Sequence, residues 1–222
     1  AFFDRYSQIS IGKLITARTT DELVENLKET EYYAPLKKIK DTDNVTLYDY
    51  NLALDLYYYT STWKEQKKIL KKSDLELFMR DRGSKIDLLN IQWIYRAKKY
   101  YNMKPADIYL MLIPIHYKLS TELVKDMVEA PGVEEFENVV IRTTYARHYN
   151  FKQNLTMEQM YADCLHHLYT ADRRKNPYSV SAINTYLFLK EEELKKLTTV
   201  MECVRYGLNP GETAAYIGGR TR

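Results

Sequence analysis

The sequence predicts an all-α protein built from repeated helical bundles, and three observations lead to that class. Only 7 glycines and 6 prolines interrupt 222 residues, too few breakers for a turn-rich sandwich or barrel. Apolar residues recur at spacings of three and four along most of the chain, the period of a helix with one buried face. The chain also resembles itself when slid by 105 to 113 positions, as a duplicated packing unit does.

Taken in order, "ARTTDELVENLKETEYYAPLKKI" has a cap at Thr19 or Thr20, acids in its first turn and Leu23, Val24 and Leu27 on one side. It predicts one amphipathic helix stopped near Pro35. Residues 40–46 read as a loop, and from Leu47 a longer helix sets Tyr and aliphatic residues against Lys and Glu. The helical pattern then continues to about Arg82, with Gly83 read as a C-terminal cap or tight turn. In the next segment Ile86, Leu89, Trp93 and Ala97 fall at helical spacing, and Leu88, Ile91 and Ile94 widen the stripe. A face that wide needs cover on more than one side, which puts this helix at the centre of its bundle. Pro105 suits the first turn of a following helix, and Pro114 ends or kinks it. Two short helices separated at Pro131 and Gly132 come next. Thr156 is the expected cap of another helix, and a long one from Val180 ends at Gly207.

The self-similarity has three parts. "ARTTDELVENLKETEYYA" falls on "APGVEEFENVVIRTTYAR" with Leu23 on Phe136, Leu27 on Val140, Thr30 on Thr143 and Tyr32 on Tyr145; "LALDLYYY" falls on "MYADCLHH"; "NMKPADI" falls on "GLNPGET". Residues 1–46 are therefore read as the end of a truncated first helical unit, 47–150 as a second and 151–222 as a third.

The residue chemistry selects no reaction. Neither GxxxxGK[ST] nor GxGxxG occurs, so no phosphate cradle is expected. His116, His148, His166 and His167 form no HExxH, and adjacent helical histidines point apart, so no metal site is expected. Cys164 and His166 stand two residues apart, a spacing that does not bring helix side chains together as nucleophile and base. "KEEELKK" alternates in sign as a solvated face does, and selects no glycosidase pair. A formal net charge of +3 with acids interrupting every basic run does not describe a nucleic-acid groove. Arg173 and Arg174, with Lys98, Lys99 and Lys175, instead suit acidic partner surfaces or anionic head groups. No apolar run reaches membrane-spanning length. With 21 tyrosines in the chain, contact surfaces are the expected business of this protein; Tyr57, Tyr58, Tyr59, Tyr100 and Tyr101 are the candidates.

"KIDLLNIQWIYRAKKYYNMKPADIYLMLIPIHYKL", followed later by "PYSVSAINTYLFLKEEELKKL", resembles the C subunit of V-type and A-type ATP synthases, the counterpart of the d subunit of vacuolar ATPases. The resemblance matches Asp87, Asn90, Ile91, Arg96 and Lys98 to the family's repeated motif, and Tyr186, Lys190, Glu191 and Glu193 to its last unit. Lys196 stands where that unit usually repeats the Asn. The resemblance implies a funnel-shaped, pseudo-threefold helical protein of the central stalk, on the cytoplasmic side of the membrane. It also implies that the protein catalyses nothing and binds no cofactor. Its partners would be the D and F subunits of the rotor shaft and the membrane proteolipid ring, for proton or sodium transport. A free-standing helical interaction scaffold made from the same repeat is the alternative.

Overall fold

The computed structural model describes residues 9–40, 45–146, 157–175 and 177–217; among these, every regular element is a helix. The expected cap Thr156 lies outside the described residues. The chain divides into two compact units, Ala1–Lys68 with Met111–Pro114, and Ile69–Leu110 with Ile115–Arg222.

The first unit contains α1 (Ile11–Leu14), α2 (Thr20–Asn26), α3 (Tyr33–Lys40) and α4 (Leu47–Ile69). Thr19 caps α2 by accepting the Glu22 N–H at 3.1 Å, and the Glu22 carboxylate accepts the Arg18 N–H at 2.9 Å, which pairs orphan amides at the helix start. The single helix expected up to Pro35 is instead two. At Leu27 the ladder tightens to i−3 bonds, Leu27 to Val24 and Thr30 to Leu27. The Thr30 hydroxyl also donates to the Leu27 carbonyl at 2.7 Å, competing with the helical pattern. Pro35 does not stop a helix; it occupies the first turn of α3, where no backbone donor is needed. Val24, Leu27 and Leu36 form the small core, with Leu14, Tyr32, Tyr50 and Leu54 packed against it.

The second unit contains α5 (Lys72–Tyr101), α6 (Pro105–Met111), α7 (Thr121–Glu129), α8 (Val133–Ile141), α9 (Met157–Lys175), α10 (Val180–Arg205) and α11 (Pro210–Tyr216). The central helix foreseen in the sequence is α5, which packs against α7, α8, α9 and α10. Ile86, Leu88, Ile91, Ile94 and Ala97 are fully or almost fully removed from water.

Gly83 corrects the second sequence expectation, because α5 runs through it without a stop. A Cβ at this position would lie 2.5 Å from Cγ of Tyr117, so the glycine makes room for a ring and ends nothing. α5 ends instead at Asn102, in the left-handed region at φ 46 and ψ 43.

Two of the repeat pairs recur as structure. Asn102 has φ 46 and Gly207 has φ 70; three residues after each, Pro105 and Pro210 open 7-residue helices. Thr143 repeats the Thr30 turn, donating to the Val140 carbonyl at 2.7 Å. Leu27 and Val140 are both buried, whereas Phe136 is buried and its counterpart Leu23 is exposed.

Candidate functional site

Two of the motif residues of α5, Asp87 and Lys98, make polar clamps. Asp87 is fully buried in the middle of the central helix, where an isolated carboxylate is costly. It is held by four donors: the Tyr117 N–H at 3.0 Å, the Lys118 N–H at 2.6 Å, the Leu119 N–H at 3.2 Å and the Tyr145 hydroxyl at 2.7 Å. Burial holds the carboxyl above the ordinary range, and the four donated bonds offset only part of that rise. The Tyr145 hydroxyl is raised strongly by burial and by the adjacent Asp87 charge. Asp87 thus ties α5 to the segment before α7 and to the turn after α8. With its oxygens engaged by four donors, it is built as a fastening and is ill suited to proton transfer.

Eleven residues on, three helical turns along the same face, Lys98 makes the second clamp. Its half-buried ammonium donates to the carbonyls of Val128 at 2.7 Å and Ala130 at 2.6 Å, closing the C-terminal end of α7 where carbonyls lack helical partners. Burial lowers its pKa. Lys98→Met keeps the stem and removes the charge. It is expected to cost about 1–3 kcal/mol, read as a lower urea midpoint with unchanged slope; an unchanged midpoint would show that the carbonyls do not depend on the clamp.

Among the other motif positions, Asn90 and Ile91 are buried beside Asp87 on α5, and Arg96 is exposed. On α10, Tyr186 is exposed, and its acids meet lysines on the helix surface: Lys190 with Glu193 at 2.6 Å and Lys195 with Glu191 at 3.3 Å. Exposed pairs of this kind contribute little. Tyr57 donates to Glu31 at 3.0 Å and meets Tyr32 edge-on, so it serves the inside of the first unit. Tyr58 and Tyr59 meet edge to face. Tyr100, Tyr101, Arg173 and Arg174 are exposed.

A cavity of about 140 Å³ adjoins the Asp87 clamp, lined among others by Ser84, Lys118, Tyr145, Cys164 and His167. His166 is not in its wall. Burial, helped by Asp163, pushes the Cys164 thiol up to about 11, and its Sγ meets the Tyr145 carbonyl at 3.6 Å. That is the reverse of an activated thiolate. Among the described residues no group of His, Cys, Asp and Glu is placed to hold a metal, and no helix is long and apolar enough to cross a membrane.

Two participants leave little trace in the sequence. Gly83 is visible there only as a breaker. Tyr145 is visible only as the repeat partner of Tyr32, with nothing to announce its bond to Asp87.

The profile of the family described as ATP synthase (C/AC39) subunit matches residues 1–216. The C subunit of the A-type ATP synthase of Methanosarcina mazei is 31% identical over 140 residues, covering 63% of this chain and 37% of the relative. Its namesake in Methanosarcina barkeri is 25% identical over 210 residues, covering 92% and 56%, and that of Pyrococcus abyssi 24% over 241, covering 94% and 57%. The chain thus spans about half the length of the curated relatives it matches. No solved structure matches it significantly.

Proposed function

We propose, from the premise that this chain belongs to the ATP synthase (C/AC39) subunit family, that it is a non-catalytic part of the central stalk of a rotary V/A-type ATPase. In this role it couples the shaft formed by the D and F subunits to the membrane proteolipid ring, on the cytoplasmic side. The observation that carries the reading is the family match along residues 1–216, in a chain whose motif residues Asp87 and Lys98 hold helices together. Asp87 and Lys98 anchor loops and helix ends to α5, which suits a body that must pass torque without yielding. Tightly packed helices deform little.

The recurrence of a long helix, a left-handed residue and a proline-started helix at α5–α6 and α10–α11 supports two related units, and the turn shared by Thr30 and Thr143 supports kinship with the first segment, three units in all. In this reading they have the sequence boundaries 1–46, 47–150 and 151–222 and form a pseudo-threefold funnel. Exposed Tyr100, Tyr101, Arg173 and Arg174 would meet neighbouring proteins of the complex. A tagged version of this chain, expressed with the other components of its rotary ATPase, should co-purify with the shaft and the proteolipid ring in a complex that hydrolyses ATP. Recovery of the tagged chain without either, while a tag on another component recovers both, would refute the reading.

A further inference from the structure

The cavity beside the Asp87 clamp, about 140 Å³ in volume, has an apolar inner end and a basic mouth. Leu88 and Tyr145 are buried in its wall, and Cys164 and Leu168 are half-buried there. Lys118 and His167 also line it, and both are exposed, so they stand where the cavity meets solvent. Among the described residues of its wall none is acidic. An apolar wall with a few polar groups at one end is the usual make-up of a small-molecule site. The volume sets the scale of the occupant, since an apolar cavity of roughly 150 Å³ accepts one benzene ring.

The charges set the orientation. Behind Tyr145 lies the Asp87 carboxylate, which accepts the Tyr145 hydroxyl at 2.7 Å. Its negative charge opposes an anion at the inner end, where an unpaired carboxylate would also bear the full cost of leaving water. At the mouth the opposite holds. The Lys118 ammonium lies over the Tyr117 ring, 5.5 Å from its centroid, an exposed cation–π contact that is worth less than a charge-assisted hydrogen bond to a carboxylate.

We infer that this cavity binds a small monocarboxylate carrying one ring or a branched chain of similar bulk, with its apolar body against Leu88 and Leu168 and its carboxylate at Lys118 and His167. The site joins elements that Asp87 alone does not. Cys164, His167 and Leu168 belong to α9, whereas Leu88 is on α5, Lys118 precedes α7 and Tyr145 follows α8. A bound carboxylate therefore fastens α9 to the clamp, and it raises the thermal midpoint of the chain by mass action.

The probes are sodium benzoate and its uncharged counterpart benzyl alcohol, added at matched ionic strength to the whole chain with isotope-labelled leucine and valine methyl groups. Benzoate should shift the methyl resonances of Leu88 and Leu168 saturably, with a Kd on the order of 1 mM for so small a ligand. The resonances of Val24, in the core of the first unit, should stay in place. Benzyl alcohol should bind at least about tenfold more weakly, the scale of one charge-assisted hydrogen bond. Lys118→Met keeps the stem and the backbone N–H that Asp87 accepts; it should weaken benzoate at least about fivefold and leave benzyl alcohol unaffected. Leu168→Phe, which adds bulk inside the cavity, should abolish the binding of both probes. If benzoate far above that Kd produces no saturable shift at Leu88 and Leu168, there is no site. Equal affinity for the two probes, or unchanged benzoate affinity in Lys118→Met, would overturn the carboxylate as its ligand.

Discussion

Asp87→Ala is expected to destabilise the second unit by roughly 3–5 kcal/mol, a large share of the roughly 5–15 kcal/mol that usually separates folded from unfolded. The reason is the number of groups stranded. Three backbone N–H groups, of Tyr117, Lys118 and Leu119, and the Tyr145 hydroxyl all donate to this one carboxylate. Alanine offers none of them an acceptor, and a buried donor without a partner bears its desolvation cost in full. Tyr145→Phe removes a single donor and should cost about 1–2 kcal/mol. Because both changes touch the same bond, the Tyr145→Phe cost should shrink once Asp87 is already alanine. Urea unfolding of the four proteins of this cycle measures both quantities. Additive effects, or an Asp87→Ala loss below about 0.5 kcal/mol, which is the scale of an ordinary surface change, would show that the carboxylate is not the fastening described.

Gly83→Ala should lower stability, although the same change at an exposed helix position raises it. Replacing a mid-helix glycine by alanine normally gains up to about 1 kcal/mol through backbone entropy and propensity. Here the added methyl would sit 2.5 Å from Cγ and 2.7 Å from Cβ of Tyr117, far inside the roughly 3.5–4.0 Å carbon contact distance. Overpacking of this kind typically costs about 1–3 kcal/mol, enough to reverse the sign. Tyr117 also gives its N–H to Asp87 at 3.0 Å, so a ring displaced by the methyl loosens the adjoining clamp. The thermal midpoint of Gly83→Ala should therefore fall, and it should recover toward its control in a Tyr117→Ala background. A raised midpoint in the single variant would contradict the close approach.

How far these features can be read from sequence depends on what each leaves in the residue pattern. Periodicity is local, so the all-helical class, the central position of the helix through Leu88, Ile91 and Ile94, and the break at Pro131 and Gly132 are legible. Pro105 and Gly207 are legible because proline at a helix start and glycine after a helix end follow from the backbone alone. Gly83 is not. A glycine in a helical pattern marks either a stop or a contact, and only Tyr117, distant in sequence, decides between them. The division between α2 and α3 depends on the Thr30 hydroxyl bonding the Leu27 carbonyl, a competition that a hydrophobic stripe does not register. α11 does leave a signal beyond its place in the repeat, since Asn209 and Glu212 make a reciprocal capping box around Pro210.

The two clamps show a different limit. Asp87 and Lys98 stand out by resemblance, but apart from Tyr145 their partners are backbone amides and carbonyls. Backbone groups are the same under every side chain, so the sequence carries no trace of which segment they come from. An apolar row on α10 has the opposite character. Ile183, Leu187, Leu194, Leu197, Met201 and Val204 are in plain view in the sequence, but only burial of Ser181, Thr185, Phe188 and Cys203 and exposure of this row show which face of the helix is packed.

The most direct measurement is an electron cryomicroscopy map of the rotary ATPase purified through a tag on this chain. Density fitting α5, α9 and α10 should lie on the rotation axis between the foot of the shaft and the proteolipid ring. Density for the chain at the periphery with the stationary components, or a map of the intact complex with the space between shaft and ring filled by another protein, would contradict it.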